Sequence, residues 1–535
     1  MRKSTACAAV VAAALVTAGC GGDGGSGRAG PSPDPTWATV SGSPRTVPAV
    51  RSFDAAKGKG WRRTAKARVV VPSGAKGPLA GEARLLAQDL GGLDVVWGEG
   101  QKVRTGDVVL RLTGDGHEPD PTGDPSHATA DEAYTLRTAD AAVTITAATP
   151  AGVFYGTRTL VQAERTGGGL PEGTVHDRPD RARRGLILDI ARKPYSADWI
   201  ADRIREMGDL KLNELQLHFG DDQGWRIESD SHPEIVSRDH LSKAQVRTLL
   251  RLAASRHINV VPEIDSPGHL NAVIAKHPEL QLLSSSGGKP EGTVDPTDPA
   301  AAKLVDQLLR EYAQLFPGKS FHLGGDEFLP LRNKTPDTTY ADLKKKAVQR
   351  YGDKGSIQDL VAAWLNAREK TVRAAGKTDV AAWNDGFFAD GQVKADADRG
   401  VVYWTGKEPG ERDPADYLKE GRKVVNANDE YLYYVLGEPN KFKYPTGKRI
   451  YESWYPGIIR GTKPVKGADT GPTKVVGGRF GVWGDQPDAQ TPQQVADGIR
   501  TPLAATAQKL WNPHKPSLSW TEFQKVVDKA GLGSA

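Results

Sequence analysis

The 535-residue chain carries 71 Lys and Arg against 66 Asp and Glu, a formal net charge of +5, with 26% charged and 38% hydrophobic residues. That is ordinary for a soluble globular protein and leaves room for two or three domains around at least one large core. No dense basic tract is present, which argues against nucleic acid as the main partner. The only two cysteines are Cys7 and Cys20, so thiolate metal sites and a cysteine nucleophile are excluded from the rest of the chain.

In chain order, Met1-Arg2-Lys3 is a basic start and Ala8 to Val16 an apolar run too short to span a bilayer as a helix. Thr17-Ala18-Gly19-Cys20 resembles the end of a bacterial lipoprotein signal, with Thr17 where Leu is usual. Residues 1–20 are therefore expected to be a signal, with Cys20 lipidated and the chain held at the outer face of the membrane. A plain secretory signal is the alternative, and either one exports the chain. Removal of Cys7 with the signal would leave no disulfide in a compartment that allows one. Residues 21–48, rich in Gly, Ser, Pro and Asp, read as a flexible tether.

Residues 49–177 read as a small α+β support domain. Ala67–Pro72 and Val108–Leu112 are candidate strands, with a helix over Gly81–Leu90. Ala133–Arg137 and Ala142–Ala147 alternate at period two across a Thr138-Ala139-Asp140-Ala141 turn, and Ala151 to Glu164 opens a second helix. No carboxylate pair or histidine cluster occurs there.

Over residues 178–513 the rhythm becomes strand, loop, helix, repeated. Candidate strands are Gly185–Asp189, Glu214–Phe219, Asn259–Glu263, Ser320–Leu323, Asp379–Ala382, Val401–Trp404, Val424–Asn426 and Arg479–Trp483. Helices are expected over Ser196–Leu210, Ser242–Arg256, Ala300–Leu315 and Asp359–Ala375. The pattern predicts an α/β fold, a (β/α)8 TIM barrel preceded by the α+β domain, with an open doubly wound sheet as the alternative because the last two units are irregular. Residues 514–535 are left as a C-terminal helix or tail.

The strand ends carry the chemistry. Phe321-His322-Leu323-Gly324-Gly325-Asp326-Glu327 puts two carboxylates after a short buried strand and a glycine pair that permits a tight turn. In extended backbone these neighbours point to opposite sides, which predicts different jobs for Asp326 and Glu327. Other strands end in Asp189-Ile190-Ala191-Arg192, Gly220 to Arg226, Glu263 to His269, Trp383-Asn384-Asp385, Tyr403-Trp404 and Trp483-Gly484-Asp485. Carboxylates, an arginine and aromatic platforms converging on one face suit a sugar ring, with hydroxyls at its edge and C–H groups on its faces. Twelve tryptophans point the same way.

These residues carry a family resemblance. His322 to Glu327 resembles the His-x-Gly-Gly-Asp-Glu signature of the β-N-acetylhexosaminidases, the family-20 glycoside hydrolases. Leu188 to Arg192, His218 to Trp225 and Asp265 to His269 resemble three further blocks of that family in order, over roughly residues 60 to 510. The resemblance implies hydrolysis assisted by the substrate's own acetamide, which attacks the anomeric carbon to form an oxazolinium ion. Glu327 would be the general acid and base, kept protonated by burial near like charge, and Asp326 would stay ionised to orient the acetamide. Asp265 and His269 would support Glu327, with Asp221 nearby, and Arg192 would hold ring hydroxyls. Trp364, Trp383 and Trp483 would wall the pocket and Tyr431 would bond the acetamide oxygen. His322, Trp404, Trp454 and Asp485 complete the candidate sugar contacts. The implied substrate is an oligosaccharide or glycoconjugate, with no cofactor and no metal; no H-E-x-x-H spacing exists.

The chain departs from the family at its far end. Tyr431-Leu432-Tyr433 stands where Tyr-Leu-Asp is usual, a Trp-Gly element is missing before Trp454, and Asp485 stands where Glu is common. Loss of that acid relaxes recognition of the sugar's outer edge, so a lacto-N-biosidase releasing a Gal-GlcNAc disaccharide is the alternative to an enzyme removing single N-acetylhexosamines. A catalytically inactive carbohydrate-binding scaffold is a third reading. Gly324 to Phe328 also spells the diguanylate cyclase signature, without its supporting motifs and in a chain expected to be exported.

Overall fold

A computed structural model describes residues 39–98, 100–113, 131–408, 411–514 and 516–533. The expected signal and the expected lipidation at Cys20 lie outside the described residues. Among the described residues, no helix is long and apolar enough to cross a membrane.

The first domain is a seven-stranded sheet with the order Ser52–Ala55, Gly173–Asp177, Tyr134–Ala139, Ala142–Ala147, Val108–Leu112, Arg68–Val71, Asp94–Trp97. Helices Ala80–Asp89 and Pro150–Gly167 pack on it. The central strands and both helices lie where periodicity places them. Three strands, Ser52–Ala55, Asp94–Trp97 and Gly173–Asp177, were not expected. The first is mostly exposed and the second mostly half-buried, so neither shows the alternation that marks a strand. The Gly152–Gly156 run is a packing device: a Cβ on Gly156 would lie 2.5 Å from Ile145. The tether reading fails from residue 39 onward. Val47 is fully buried, and its N–H and carbonyl both bond the Gln162 carboxamide, at 2.7 and 2.9 Å.

This domain is joined to the barrel by buried ion pairs. Arg184 meets Glu132 at 2.7 Å. Lys211 meets Asp177 at 3.1 Å with both side chains inaccessible, and Trp511 Nε1 donates to the same Asp177 at 2.9 Å. Breaking one such partner would strand a buried charge, which is strongly destabilising.

The barrel strands are β1 (Arg183–Asp189), β2 (Glu214–His218), β3 (Asn259–Glu263), β4 (Ser320–His322), β5 (Asp379–Trp383), β6 (Gly400–Tyr403), β7 (Val424–Asn426) and β8 (Val475–Trp483). All pair in parallel, and β8 closes the ring by pairing with both β7 and β1, which rules out the open sheet. A short strand, Tyr433–Val435, adds to the far half of β8, opposite Gly481–Trp483. The helices start at polar caps: Ser196, Ser242, Asp298, Ser356 and Thr491 each accept a backbone N–H of the first turn. The tail folds as helix Trp520–Lys529, whose Phe523, Val526 and Val527 join the main core.

Candidate active site

The site lies at the carboxyl ends of the barrel strands, where parallel barrels gather their loops. From β1, Asp189 is inaccessible. Its Oδ1 accepts the N–H groups of Ala191 and Arg192, and its Oδ2 accepts Gly484 N–H at 2.9 Å and Arg192 Nη1 at 3.1 Å. The Arg192 guanidinium also meets Asp221 Oδ2 at 2.7 Å and sits 5.7 Å from the Trp483 ring. Asp485 lies close enough to Arg192 that the guanidinium opposes the upward push of burial on its carboxyl.

Below this, the barrel interior is charged. Glu263, at the end of β3, accepts Gln216 Nε2 at 2.6 Å and Trp383 Nε1 at 2.7 Å. His218 and His322 each bring Nδ1 within 3.3 Å of it. Burial pushes the Glu263 carboxyl up, but the two imidazoles outweigh it and hold the group well below the usual carboxylate range. His218 Nε2 lies 2.7 Å from Asp221 Oδ2. Asp221 is likewise held well down, against burial, by His269 and Arg192.

The Gly-Gly turn aims the two adjacent acids. Gly324 and Gly325 have φ of +64° and +92°, and a Cβ on Gly324 would fall 2.1 Å from the Asp265 carboxyl. Gly325 N–H donates to Asp265 Oδ1 at 2.7 Å. Glu327 itself has φ of +45°, a strained value for a side chain with a Cβ, and its N–H is tied to Asp385 Oδ2 at 2.8 Å. The acids therefore diverge through left-handed backbone, not through the extended conformation expected.

Around Asp326, Asp265 and Asp385 are both pushed well above the carboxylate range by burial and by the Asp326 charge. Tyr433 is raised by the same two causes. His269 donates toward Asp221 Oδ1 at 3.2 Å, and its Nε2 lies 3.9 Å from Asp326 and 3.7 Å from Glu327. Burial opposes charge on this ring, but Asp221 and Asp326 raise it to about 10. The burial expected of Glu327 is not found. Its side chain is 28% accessible and pairs with Arg332 at 2.8 Å, and Arg332 in turn holds Glu408 at 2.9 Å.

Aromatic rings wall the space beside Asp326. Trp383 and Trp483 have centroids 5.9 Å apart, Tyr433 and Trp483 5.4 Å, and Trp404 stacks on Tyr433 at 5.8 Å while its Nε1 donates to Asp385. His269 Nε2 and Trp483 Nε1 are buried without a hydrogen-bond partner. Unpaired polar atoms at one place are what a binding site leaves for its ligand.

Arg192, Asp265, His269, Asp326, Glu327, Trp383, Trp404, Trp483 and Asp485 are thus brought together. Four expected sugar contacts are corrected. Tyr431 lies under the Arg449 guanidinium at 4.4 Å within the main core; the turn Asp429–Leu432 carries it away, and Tyr433 takes the place at the pocket. Trp454 is fully buried, bonding Ile458 O at 3.2 Å. His322 is inaccessible beneath Trp383, at 4.6 Å between ring centroids. Trp364 is buried, and its Nε1 donates to Oγ of Ser266, the residue after Asp265, at 3.0 Å. Asp221 is enclosed by Arg192, His218 and His269 and positions them.

Asp189, His218, Glu263, Asp385, Tyr433 and Arg332 are the site residues not foreseen. Strand-end position marked Asp189 and Asp385. The period-two polar pair Gln216 and His218 marked an inward-facing, charged barrel face. Nothing local marks Arg332.

Residues 182–514 match the catalytic domain of glycosyl hydrolase family 20, and residues 43–178 match domain 2 of that family. The chain is 29% identical over 402 residues to a lacto-N-biosidase of Bifidobacterium bifidum, covering 75% of this chain and 35% of that protein. It is 28% identical over 399 residues to β-hexosaminidase subunit alpha of Bos taurus, covering 71% and 70%. The GH20 β-N-acetylhexosaminidase structure from Streptomyces coelicolor A3(2) aligns with a TM-score of 0.70 at 25% identity, over 92% of this chain and 95% of that one. The chain spans 35%, 38% and 45% of the length of the first three curated relatives it matches.

Proposed function

Because the chain belongs to glycosyl hydrolase family 20, we propose that it is an exo-acting glycoside hydrolase removing terminal β-linked N-acetylhexosamine with retention, through the substrate's acetamide. The acetamide oxygen attacks the anomeric carbon, the glycosidic bond breaks, and an oxazolinium ion forms. Glu327 gives its proton to the leaving oxygen and then takes one from the water that opens the ring. Asp326, between two carboxyls that retain protons, holds the acetamide N–H and balances the developing positive charge. Tyr433 bonds the acetamide oxygen, and Arg192 with Asp485 grips ring hydroxyls.

One observation carries this reading. Asp326 lies beside the aromatic rings, where its charge acts on Tyr433 and Asp385, while Glu327 reaches the accessible side toward Arg332, and His269 lies within 3.9 Å of both. The test is a panel of chromogenic N-acetylhexosaminides with Glu327→Gln and Asp326→Asn. Glu327→Gln is expected to lose about 100- to 10,000-fold in kcat on glycosides with poor leaving groups. Near-wild-type turnover in that variant would overturn the assignment.

A second reading has one observation behind it. With Tyr433 at the pocket, the acid of a Tyr-Leu-Asp element would fall at position 435. Val435 stands there, buried in one apolar cluster with Trp404, Phe442 and Trp483. An apolar rim at the sugar's outer edge suits a substituted sugar, and thus release of a disaccharide. Faster cleavage of a p-nitrophenyl lacto-N-bioside than of the monosaccharide glycoside supports it; the reverse retires it.

Export and a lipid anchor on Cys20 rest on the sequence from Met1 to Cys20 alone. Membrane association lost on Cys20→Ala is the expected outcome.

A further inference from the structure

Away from the active site, two short stretches of the chain repeat one another: His232-Pro233-Glu234-Ile235 and His277-Pro278-Glu279-Leu280. Each forms the same turn. The histidine precedes a three-residue 3-10 helix with φ, ψ of −140°, 64° in one case and −127°, 64° in the other. Proline opens each turn, and the apolar fourth residue is buried. The first turn follows β2 and the second follows β3, and they face each other with imidazole centroids 6.0 Å apart.

Between the rings stands Glu234. Its Oε1 lies 2.9 Å from His232 Nδ1 and 2.9 Å from His277 Nε2. Of the outer nitrogens, His232 Nε2 lies 3.1 Å from Gln307 Oε1, and His277 Nδ1 is within 3.4 Å of the exposed Glu279 carboxylate. Burial pushes the Glu234 carboxyl up slightly, but the His277 ring, its own backbone and the His232 ring bring it down to about 2.

We propose that His232, Glu234 and His277 form a surface site for a divalent transition-metal ion of the zinc class. Two imidazole nitrogens and one carboxylate oxygen, all within 4.8 Å of one another, are a three-ligand set that zinc completes with water. The Gln307 acceptor on the outer nitrogen of His232 is the kind of support that fixes the ring orientation of metal-ligating histidines. Mixed nitrogen and oxygen donors select zinc, nickel or copper over calcium or magnesium. Solvent has a path in, since Glu234 is 40% and His277 25% accessible in their side chains. The ion would tie the loop bearing Asp221 to the loop bearing His269, without touching either residue or the sugar. Its role is structural.

The test uses the untagged protein, stripped with chelator and dialysed against zinc, calcium or magnesium, alongside His277→Ala and Glu234→Gln. Wild type is expected to hold one zinc more than either variant and to bind no calcium or magnesium here. Its Tm is expected to rise about 2–3 °C at a hundredfold excess of zinc over Kd, a response both variants lose while keeping kcat within about twofold. Equal zinc content in wild type and both variants would overturn the site, including the case in which all the zinc is held by the cluster at Asp221, Asp222 and His269.

Discussion

The backbone N–H of Glu327 donates to Asp385 Oδ2 at 2.8 Å, so the proposed acid is held through its main chain by the end of the neighbouring strand. A left-handed φ of +45° at a glutamate needs such a tie, because the conformation is costly on its own. Asp385 also accepts from Trp404 Nε1 at 3.1 Å, which links the acid's position to the pocket wall. Asp385→Ala is expected to lower kcat about 10- to 100-fold, from misplacement of Glu327 by a fraction of an ångström to 1 Å. KM should change little, because Asp385 is inside the wall. Measured kcat and KM that shift together by less than a factor of about three would show that the tie is not needed.

Two tyrosines two residues apart separate the site from the core. Tyr433 lies between Trp404 and Trp483 beside Asp326, whereas Tyr431 packs under Arg449. Tyr433→Phe removes a donor to the oxygen that becomes the nucleophile and is expected to cost about 10- to 100-fold in kcat. Tyr431→Phe should leave turnover within about twofold. The opposite ranking in steady-state kinetics would return the acetamide contact to Tyr431.

His269 links stability to pH. Its folded pKa of about 10, reached against burial through Asp221 and Asp326, lies above the ordinary imidazole value near 6.5. The folded state thus binds the extra proton between those limits. The stability this contributes is complete below about pH 6.5 and is lost as pH rises toward 10. His269→Ala is expected to unfold at a lower temperature than wild type at pH 6, by about 2 °C or more, with a gap that narrows steadily above pH 7. A gap that widens with pH in thermal melts would contradict a charged imidazole.

Trp454 tests the division between pocket and core. It is inaccessible, with its ring against Gly478 and its Nε1 on Ile458 O. Trp454→Phe is expected to cost about 1–3 kcal/mol of stability and to leave KM for a monosaccharide glycoside unchanged. A raised KM with an unchanged Tm would put the indole back in contact with sugar.

Hydrophobic periodicity was enough to place the eight barrel strands within a few residues, because a strand buried on both faces is an apolar run bounded by polar turns. The Gly-Gly-Asp-Glu element was equally legible, since only glycine fits φ of +64° with no room for a Cβ against Asp265. Arg192, Asp265, His269, Trp383 and Trp483 followed from their places at strand ends. The strands of the first domain that are exposed or only half-buried carried no such signal.

Only the tertiary structure decided which of two nearby tyrosines enters the pocket, that Trp454 belongs to the core, and that Glu327 meets Arg332. Each depends on a turn or on a pairing across loops, and side-chain direction there is set by φ and ψ that composition does not record. The buried charges behave alike. Asp221, Glu263 and Asp265 are one residue type or nearly so, yet the first two are held ionised by imidazoles and Arg192 while Asp265 keeps its proton beside Asp326. A local stretch specifies which groups can titrate; the fold sets which way, because neighbours distant in the chain supply the field.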